Sequence, residues 1–276
     1  MHVKTWLITG CSSGIGKGIA TAVLEKGDQA IITARDTTKL NDFIEKYKDQ
    51  VLALSLEMSD IHSIKEVIKK SYEHFGQIDV LVNNAGQGMR GAIEEVEDEM
   101  ILNLFQTNVF GPVQLIKEVL PMMRKQKSGA IINISSTGAV SVNPGSGYYS
   151  ASKAALENIS RALYKEVSSL GIKVMIVEPG PFRTNFRVAS WHGNDIHDYD
   201  VSSGMIAKNY SENPFNQKGD PMKAGKHIVE AIEREDYPKL LLLGNGMIDL
   251  AKQTYHDRIS EMERWREYTD SSNFEK

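Results

Sequence analysis

Cysteine is nearly absent from this 276-residue sequence. Cys11 stands alone, so no intrachain disulfide can form and a reducing compartment is expected. Long apolar runs are missing as well. None approaches the ~20 residues that a membrane helix needs, and the four leucines Leu240 to Leu243 read as a buried strand. The opening stretch, Met1 to Gly10, has too short an apolar segment for a secretory signal. The expected setting is therefore the cytoplasm, without a membrane partner. Neither sign of charge dominates: 32 basic and 36 acidic residues leave a net charge of -4, which creates no strong field for nucleic acid. There is no internal repeat, low-complexity tract or linker, and no metal site is expected. The length suits a single domain over 1–276, long enough to bury a full core without staples.

What the sequence does contain is a regular alternation of short β-branched runs and helix-period stretches. Strands are predicted at Val3–Thr9, Gln29–Thr33, Val51–Ser55, Ile78–Val82, Ala130–Ile134, Ile172–Val177 and Lys239–Leu243. Helices are predicted at Gly14–Lys26 and at Ile61–Phe75, where Ile61, Ile64, Val67, Ile68 and Tyr72 share one face. Strands this apolar are buried on both faces. That implies an α/β fold, a doubly wound Rossmann-type parallel sheet of about seven strands flanked by helices.

Two stretches depart from the alternation. The predicted helix over 97–125 carries Gly111-Pro112 in its interior, where the missing N–H predicts a kink. Residues 185–219 show no clear period but hold Phe186, Trp191, Tyr199, Tyr210 and Phe215, the composition of a substrate-binding loop or lid. Asp220-Pro221 then restarts a helix, as N-cap and first-turn proline. A further helix is predicted over 246–265, followed by a loose tail over 269–276.

Directly after the first strand comes Thr9-Gly10-Cys11-Ser12-Ser13-Gly14-Ile15-Gly16, which opens the first helix. Glycines here permit a tight turn and close approach of backbone to a pyrophosphate, while the helix N-terminus offers unpaired N–H groups. Gly10, Ser12, Ser13, Gly14, Ile15 and Gly16 are therefore candidate cofactor contacts. Cys11 has no basic neighbour to lower its pKa and reads as a small filler. Tyr149 and Lys153 are four residues apart, on one face of a helix, which puts an ammonium near a phenol. Such a charge favours phenolate, so a lowered Tyr149 pKa is expected, as a general acid/base requires. Tyr148, whose fourth neighbour is Ser152, lacks that partner.

Five motifs follow one another in order: Thr9 to Gly16; Asn83-Asn84-Ala85-Gly86; Asn108; Ser136 with Tyr149-x-x-x-Lys153; and Pro179-Gly180 with Thr184. In this order they resemble the short-chain dehydrogenase/reductase family, closely over about residues 3 to 184 and in outline beyond. The resemblance implies hydride transfer between nicotinamide and a carbonyl or secondary alcohol, with Tyr149 as acid/base. Ser136 holds the substrate oxygen and is preferred to Ser135 because the family's Ser-to-Tyr interval matches it. Lys153 tunes Tyr149 and binds the nicotinamide ribose, and Asn108 holds water in a relay behind it. By the same resemblance Asn84, Ala85 and Gly86 line the cofactor, while Pro179, Gly180 and Thr184 meet its nicotinamide half. Asn83 suits a structural tie as well as a contact.

An acidic residue at the end of the second strand would bond the ribose of NAD and repel a 2′-phosphate. The matching position is Ala34, followed by Arg35, whose fork suits a phosphate. NADP(H) is therefore favoured over NAD(H), although a two-residue shift to Asp36 would restore the NAD reading. At the adenine, Glu57 or Asp60 could stand in for the family's Asp. General resemblance points to the carbonyl reductase and hydroxysteroid dehydrogenase-like branch acting on a small-molecule substrate. The aromatics of 185–219 either line its pocket or pack the lid on its own body. A homodimer or homotetramer through the long helices 97–125 and 148–170 fits the family's habit. The alternatives are an NAD(H)-dependent alcohol dehydrogenase of the same family and a non-catalytic NADP(H)-sensing regulator.

Overall fold

A computed structural model describes residues 3–274; the outermost parts of the N-terminal stretch and of the expected tail, 1–2 and 275–276, lie outside it. Seven strands form one parallel sheet. They are β1 (Thr5–Ile8), β2 (Gln29–Ala34), β3 (Val51–Ser55), β4 (Val80–Asn83), β6 (Gly129–Ile134), β7 (Ile172–Pro179) and β9 (Leu240–Leu243). Their order is β3-β2-β1-β4-β6-β7-β9, every pairing parallel. A second pair, β5 (Met89–Arg90) with β8 (Trp191–His192), stands apart from that sheet.

Helices cover both faces, each hiding an apolar layer of the sheet. On one side α1 (Gly14–Glu25) and α8 (Pro221–Glu233) bury Ile19, Val23, Ile228 and Ile232 against Trp6, Ile8, Ile32 and Val82. On the other, α3 (Ile61–Phe75), α5 (Gly111–Gln126) and α6 (Gly147–Val167) bury Ile64, Val67, Leu115, Val119 and Leu163 against Leu7, Leu81, Ile131 and Val174. The short α2 (Asn41–Tyr47) follows β2, and α4 (Asp98–Phe105) precedes α5. Helix starts follow local chemistry. The Asp60 carboxylate accepts from the N–H of His62 at the head of α3, and Asp220 accepts from Met222 ahead of Pro221, both at 2.8 Å.

The chain runs outward from β1 to β3 and then returns to β4 beside β1. The carboxyl ends of β1 and β4 therefore flank the point where the winding reverses, the place where open parallel sheets bind ligands.

The structure corrects several expectations. The helix over 97–125 is interrupted by a π-type turn, Gln106–Phe110, between α4 and α5. Pro112 has no N–H to give the carbonyl of Asn108, so the turn widens there. Residues 185–219 are not structureless: they hold β8 and the helix α7 (Met205–Glu212), and the segment is pinned at its base where Phe182 bridges Gly219. Leu240 to Leu243 do form a strand, but at the sheet edge, with Leu240 38% exposed. Ile61 is exposed in the first turn of α3 rather than on its buried stripe. Past α9 (Met247–Arg264), the start of the tail is the short helix α10 (Arg266–Asp270).

Candidate active site

A cavity of about 750 Å³ opens at the carboxyl edge of the sheet, above β1, β2, β4, β6 and β7. One wall is the glycine loop. The buried Thr9 hydroxyl donates to the Val82 carbonyl at 3.2 Å and accepts from the N–H groups of Asn84 at 3.0 Å and Ala85 at 2.9 Å. In return the Asn84 side chain donates to the carbonyls of Thr9 and Gly10 at 2.8 and 3.1 Å. A Cβ at Gly16 would lie 2.3 Å from both Asn84 Nδ2 and the Gly10 oxygen, so only glycine lets α1 close on this clamp. Gly16 thus serves the clamp, while Gly10, Ser12, Ser13, Gly14 and Ile15 line the cavity. Ser13, the N-cap of α1, makes no capping bond with its side chain, which leaves the first N–H groups and the positive end of the helix dipole to a ligand. These features fit the pyrophosphate of a dinucleotide.

Arg35 is exposed on the cavity wall just past β2, with no carboxylate in ion-pair reach among the described residues. Asp36 is off the wall. Its carboxylate accepts from the Thr38 N–H at 3.1 Å and the Thr38 hydroxyl at 2.6 Å, bonds that hold its pKa below the usual range. Glu57 and Met58 line the cavity, whereas Asp60 caps α3 outside it. Cys11 is fully buried, and burial pushes its thiol up to about 12, in keeping with a filler role.

Ser136, Tyr149 and Lys153 line the same cavity, together with Asn84, Ala85 and Gly86. The Ser136 hydroxyl accepts from the Gly138 N–H at 3.0 Å and lies beside the Tyr149 phenol, whose pKa it pulls down. Ser135 instead donates to Glu157 at 2.9 Å, away from the cavity chemistry, and Tyr148 donates to the Ile93 carbonyl. Lys153 is buried; its ammonium donates to the Ile134 carbonyl at 2.9 Å, and burial lowers its pKa to about 8. The Tyr149 pKa is raised, not lowered as the spacing suggests. Burial outweighs the Ser136 hydrogen bond and the charge of Arg90, which both pull it down.

Asn108 does not reach the cavity wall. It is fully buried on the π-type turn, accepting from the Gln87 N–H at 2.8 Å and donating to the Gln87 carbonyl and the Ser152 hydroxyl at 2.9 and 3.0 Å. It stands behind Gly86, where a Cβ would be 3.2 Å from Lys153 Nζ and 3.4 Å from Asn108 Oδ1. Asn83 is a structural tie: it donates to Asn133 at 2.8 Å, which donates to Ser160 of α6 at 2.7 Å.

Pro179, Gly180 and Thr184 line the cavity beyond β7. The Thr184 methyl packs over the loop, 3.0 Å from where a Gly14 Cβ would be, and its hydroxyl accepts from the Phe186 N–H at 3.2 Å. Phe186 stacks at a tilt on Tyr149, ring centres 5.5 Å apart. Trp191, Arg187 and Tyr210 continue this wall, so aromatics of 185–219 do face the cavity. Arg187, inside the expected lid, Arg90, in the loop after Gly86, and Met247 also line the cavity, and none of the three stands out individually in the sequence.

The seven-stranded parallel sheet, with a cleft at its reversal point, defines a Rossmann-type fold. Residues 4–195 match the model of the short chain dehydrogenase family, and the chain belongs to this family of oxidoreductases. It is 32% identical over 271 residues to oxidoreductase BOA17 of Botryotinia fuckeliana, covering 98% of this chain and 99% of that one. A solved short-chain dehydrogenase from Streptomyces avermitilis superposes with a TM-score of 0.93 at 38% identity, covering 99% of this chain and 100% of that one. Neighbours hold either nucleotide. ElxO, with NADP bound, has a TM-score of 0.75 at 26% identity over 90% of this chain and 100% of its own. A Burkholderia phymatum protein in complex with NAD shares the fold alone, with a TM-score of 0.84 at 20% identity over 94% and 95%. Among the described residues no helix is long and apolar enough to cross a membrane.

Proposed function

We propose that the chain is an NADP(H)-dependent oxidoreductase of carbonyls and secondary alcohols, with Tyr149 as its general acid/base. The observation that carries this reading is the convergence of Ser136, Tyr149 and Lys153 on the same cavity as the glycine loop. When bound, the nicotinamide would supply hydride to the substrate carbon. Ser12, Ser13, Gly14 and Ile15 would hold the pyrophosphate, and Asn84, Ala85 and Gly86 the adjoining ribose and ring. Pro179, Gly180 and Thr184 would meet the carboxamide half.

Ser136 and Tyr149 hold the substrate oxygen between two hydroxyls, aimed donors that stabilise the charge developing there. The phenol gives its proton to that oxygen in reduction and takes it back in oxidation. Lys153 holds a positive charge beside the phenol and would bind a hydroxyl of the nicotinamide ribose. Asn108 acts as a positioning residue: it fixes Gln87 and the strand-end turn against which Lys153 lies.

Support for NADP(H) over NAD(H) is the unpaired Arg35 on the wall together with the commitment of Asp36 to capping the turn at Thr38. Aromatic walls at Phe186, Trp191 and Tyr210 suit a partly apolar substrate, as in the carbonyl reductase and hydroxysteroid dehydrogenase-like branch. We read the chain as one catalytic domain, with 185–219 as its lid. Exposed Leu102, Phe110 and Ile159 on the long helices suit a homodimer or homotetramer, and the buried lone thiol suits the cytoplasm. An NADPH-consumption screen over aldehydes, ketones, steroids and quinones tests the reading: turnover is expected for at least one class, and binding of NADPH with no turnover across the panel would favour a sensing role instead.

A further inference from the structure

Two arginines stand at the substrate end of the cavity without a carboxylate to neutralise them. Arg90 ends β5, and Arg187 follows the Thr184 turn. Both guanidiniums lie over the ring of Tyr210 in α7, their central carbons 4.5 and 4.1 Å from its centre. No Asp or Glu is within ion-pair distance of either among the described residues. Carboxylates in the neighbourhood are already engaged: Glu95 accepts from the N–H groups of Ala92 and Ile196, and Glu94 from the Tyr199 hydroxyl. Among the described residues Arg187 donates only to neutral acceptors, the Asn213 carbonyl at 3.3 Å and the Asn216 side chain at 2.9 Å.

Two like charges held together in a half-buried cleft repel one another. Burial and the charge of Arg90 both push the Arg187 pKa down, and the charge of Arg90 also reaches Tyr149. The shared ring offsets part of that cost through its π face. An anion bonded by both guanidiniums would offset the rest, because charge-assisted bonds strengthen as water is excluded. The pair is also well placed for recognition. Pairing of β5 with β8 sets Arg90 in register with His192, next to Trp191, and Phe186 lies against Tyr149. Phe186 and Trp191 thus line the same cavity as the phenol and the two cations, and a substrate body on those rings meets both.

We propose that the substrate carries an anionic group, a carboxylate or a phosphate ester, recognised by Arg90 and Arg187 while its carbonyl meets Ser136 and Tyr149. This rests on the oxidoreductase reading above and narrows its substrate class. The charged group takes no part in the reaction and leaves with the product unchanged.

The test is isothermal titration calorimetry with 4-acetylbenzoate, 4-acetylphenyl phosphate and the neutral 4-acetylbenzamide. NADP+ is kept at saturation, so that the cofactor's own phosphates are already seated. At least one anion is expected to bind about tenfold tighter than the amide or better, a difference of ~1.4 kcal/mol. Whichever anion is preferred identifies the source of the charge. Arg90→Gln and Arg187→Gln should each bring the ratio close to one, while Arg187→Lys should retain much of it. Wild-type protein gives a second reading that needs no variant to fold: the preference should shrink in roughly 0.5 M salt. Equal affinity for amide and both anions in the wild type would overturn the proposal and make the arginine–tyrosine stack a latch for α7. An unchanged ratio in folded Gln variants would overturn it as well. The titration needs no turnover, so its outcome is independent of whether the proposed chemistry at Tyr149 survives.

Discussion

Lys153 follows Tyr149 by one turn of α6, and its ammonium lies 6.0 Å from the centre of the phenol ring. Burial acts on the two groups in opposite directions. It raises the phenol and lowers the ammonium to about 8, so the proton-bearing site is assembled against its own desolvation. The pair is costly to the fold, in keeping with the proposed acid/base role.

That cost is measurable. A lysine whose folded pKa falls from 10.5 to about 8 penalises the folded state by on the order of 3 kcal/mol wherever the ammonium is charged in both states. The penalty is full below about pH 8. It shrinks as pH rises from 8 towards 10.5, because the folded protein sheds the proton first. Lys153→Met removes the titration but leaves the Ile134 carbonyl without its donor. Relative to that variant, the wild type should therefore gain stability between pH 7 and pH 10. Urea midpoints at the two values check this, and a difference independent of pH would contradict it.

Glu178 has the opposite sign. It is 1% exposed in β7, one carboxylate oxygen has no partner, and burial with the neighbouring Glu157 raises its pKa from 4.5 to about 8. The folded protein retains a proton that the unfolded chain releases, so this contribution to stability is present below pH 4.5 and is lost as pH rises through 8. Glu178→Gln should match the wild type near pH 5 and have the higher urea midpoint at pH 8. A variant no more stable at pH 8 than at pH 5, relative to the wild type, would contradict this account of the buried pair.

On the proposed NADP(H) reading, cofactor choice turns on Arg35. A charge-assisted bond to a 2′-phosphate contributes about 1.5–3 kcal/mol, so Arg35→Ala should raise KM for NADPH by roughly 10- to 100-fold. KM for NADH should change little. Steady-state kinetics with both cofactors decide the matter, and equal losses for the two would place Arg35 outside the phosphate site.

Legibility in the sequence followed the range of the interactions. The glycine loop, the strands and the starts of α3 and α8 depend on neighbours a few residues away, and they could be read directly. So could the shared face of Tyr149 and Lys153. The phenol's pKa could not, because spacing reveals the ammonium but not the burial that outweighs it. Helix α7 was hidden for a related reason. Eight residues are too few to hold a helix by propensity, and Tyr210 is gripped by Arg90 and Arg187 from distant parts of the chain. Asn108 was correctly associated with the Gly111-Pro112 break, but its burial behind Gly86 follows from the π-type turn, which composition does not specify.

Tyr149→Phe is the most direct test of the central claim, because it removes one oxygen and leaves the ring against Phe186 and the cofactor cradle untouched. With a ketone that the wild type reduces, kcat should fall by about 10²- to 10⁴-fold while NADPH binds with an affinity within a few-fold of the wild type. Turnover close to the wild-type rate would contradict the assignment of the acid/base to this phenol.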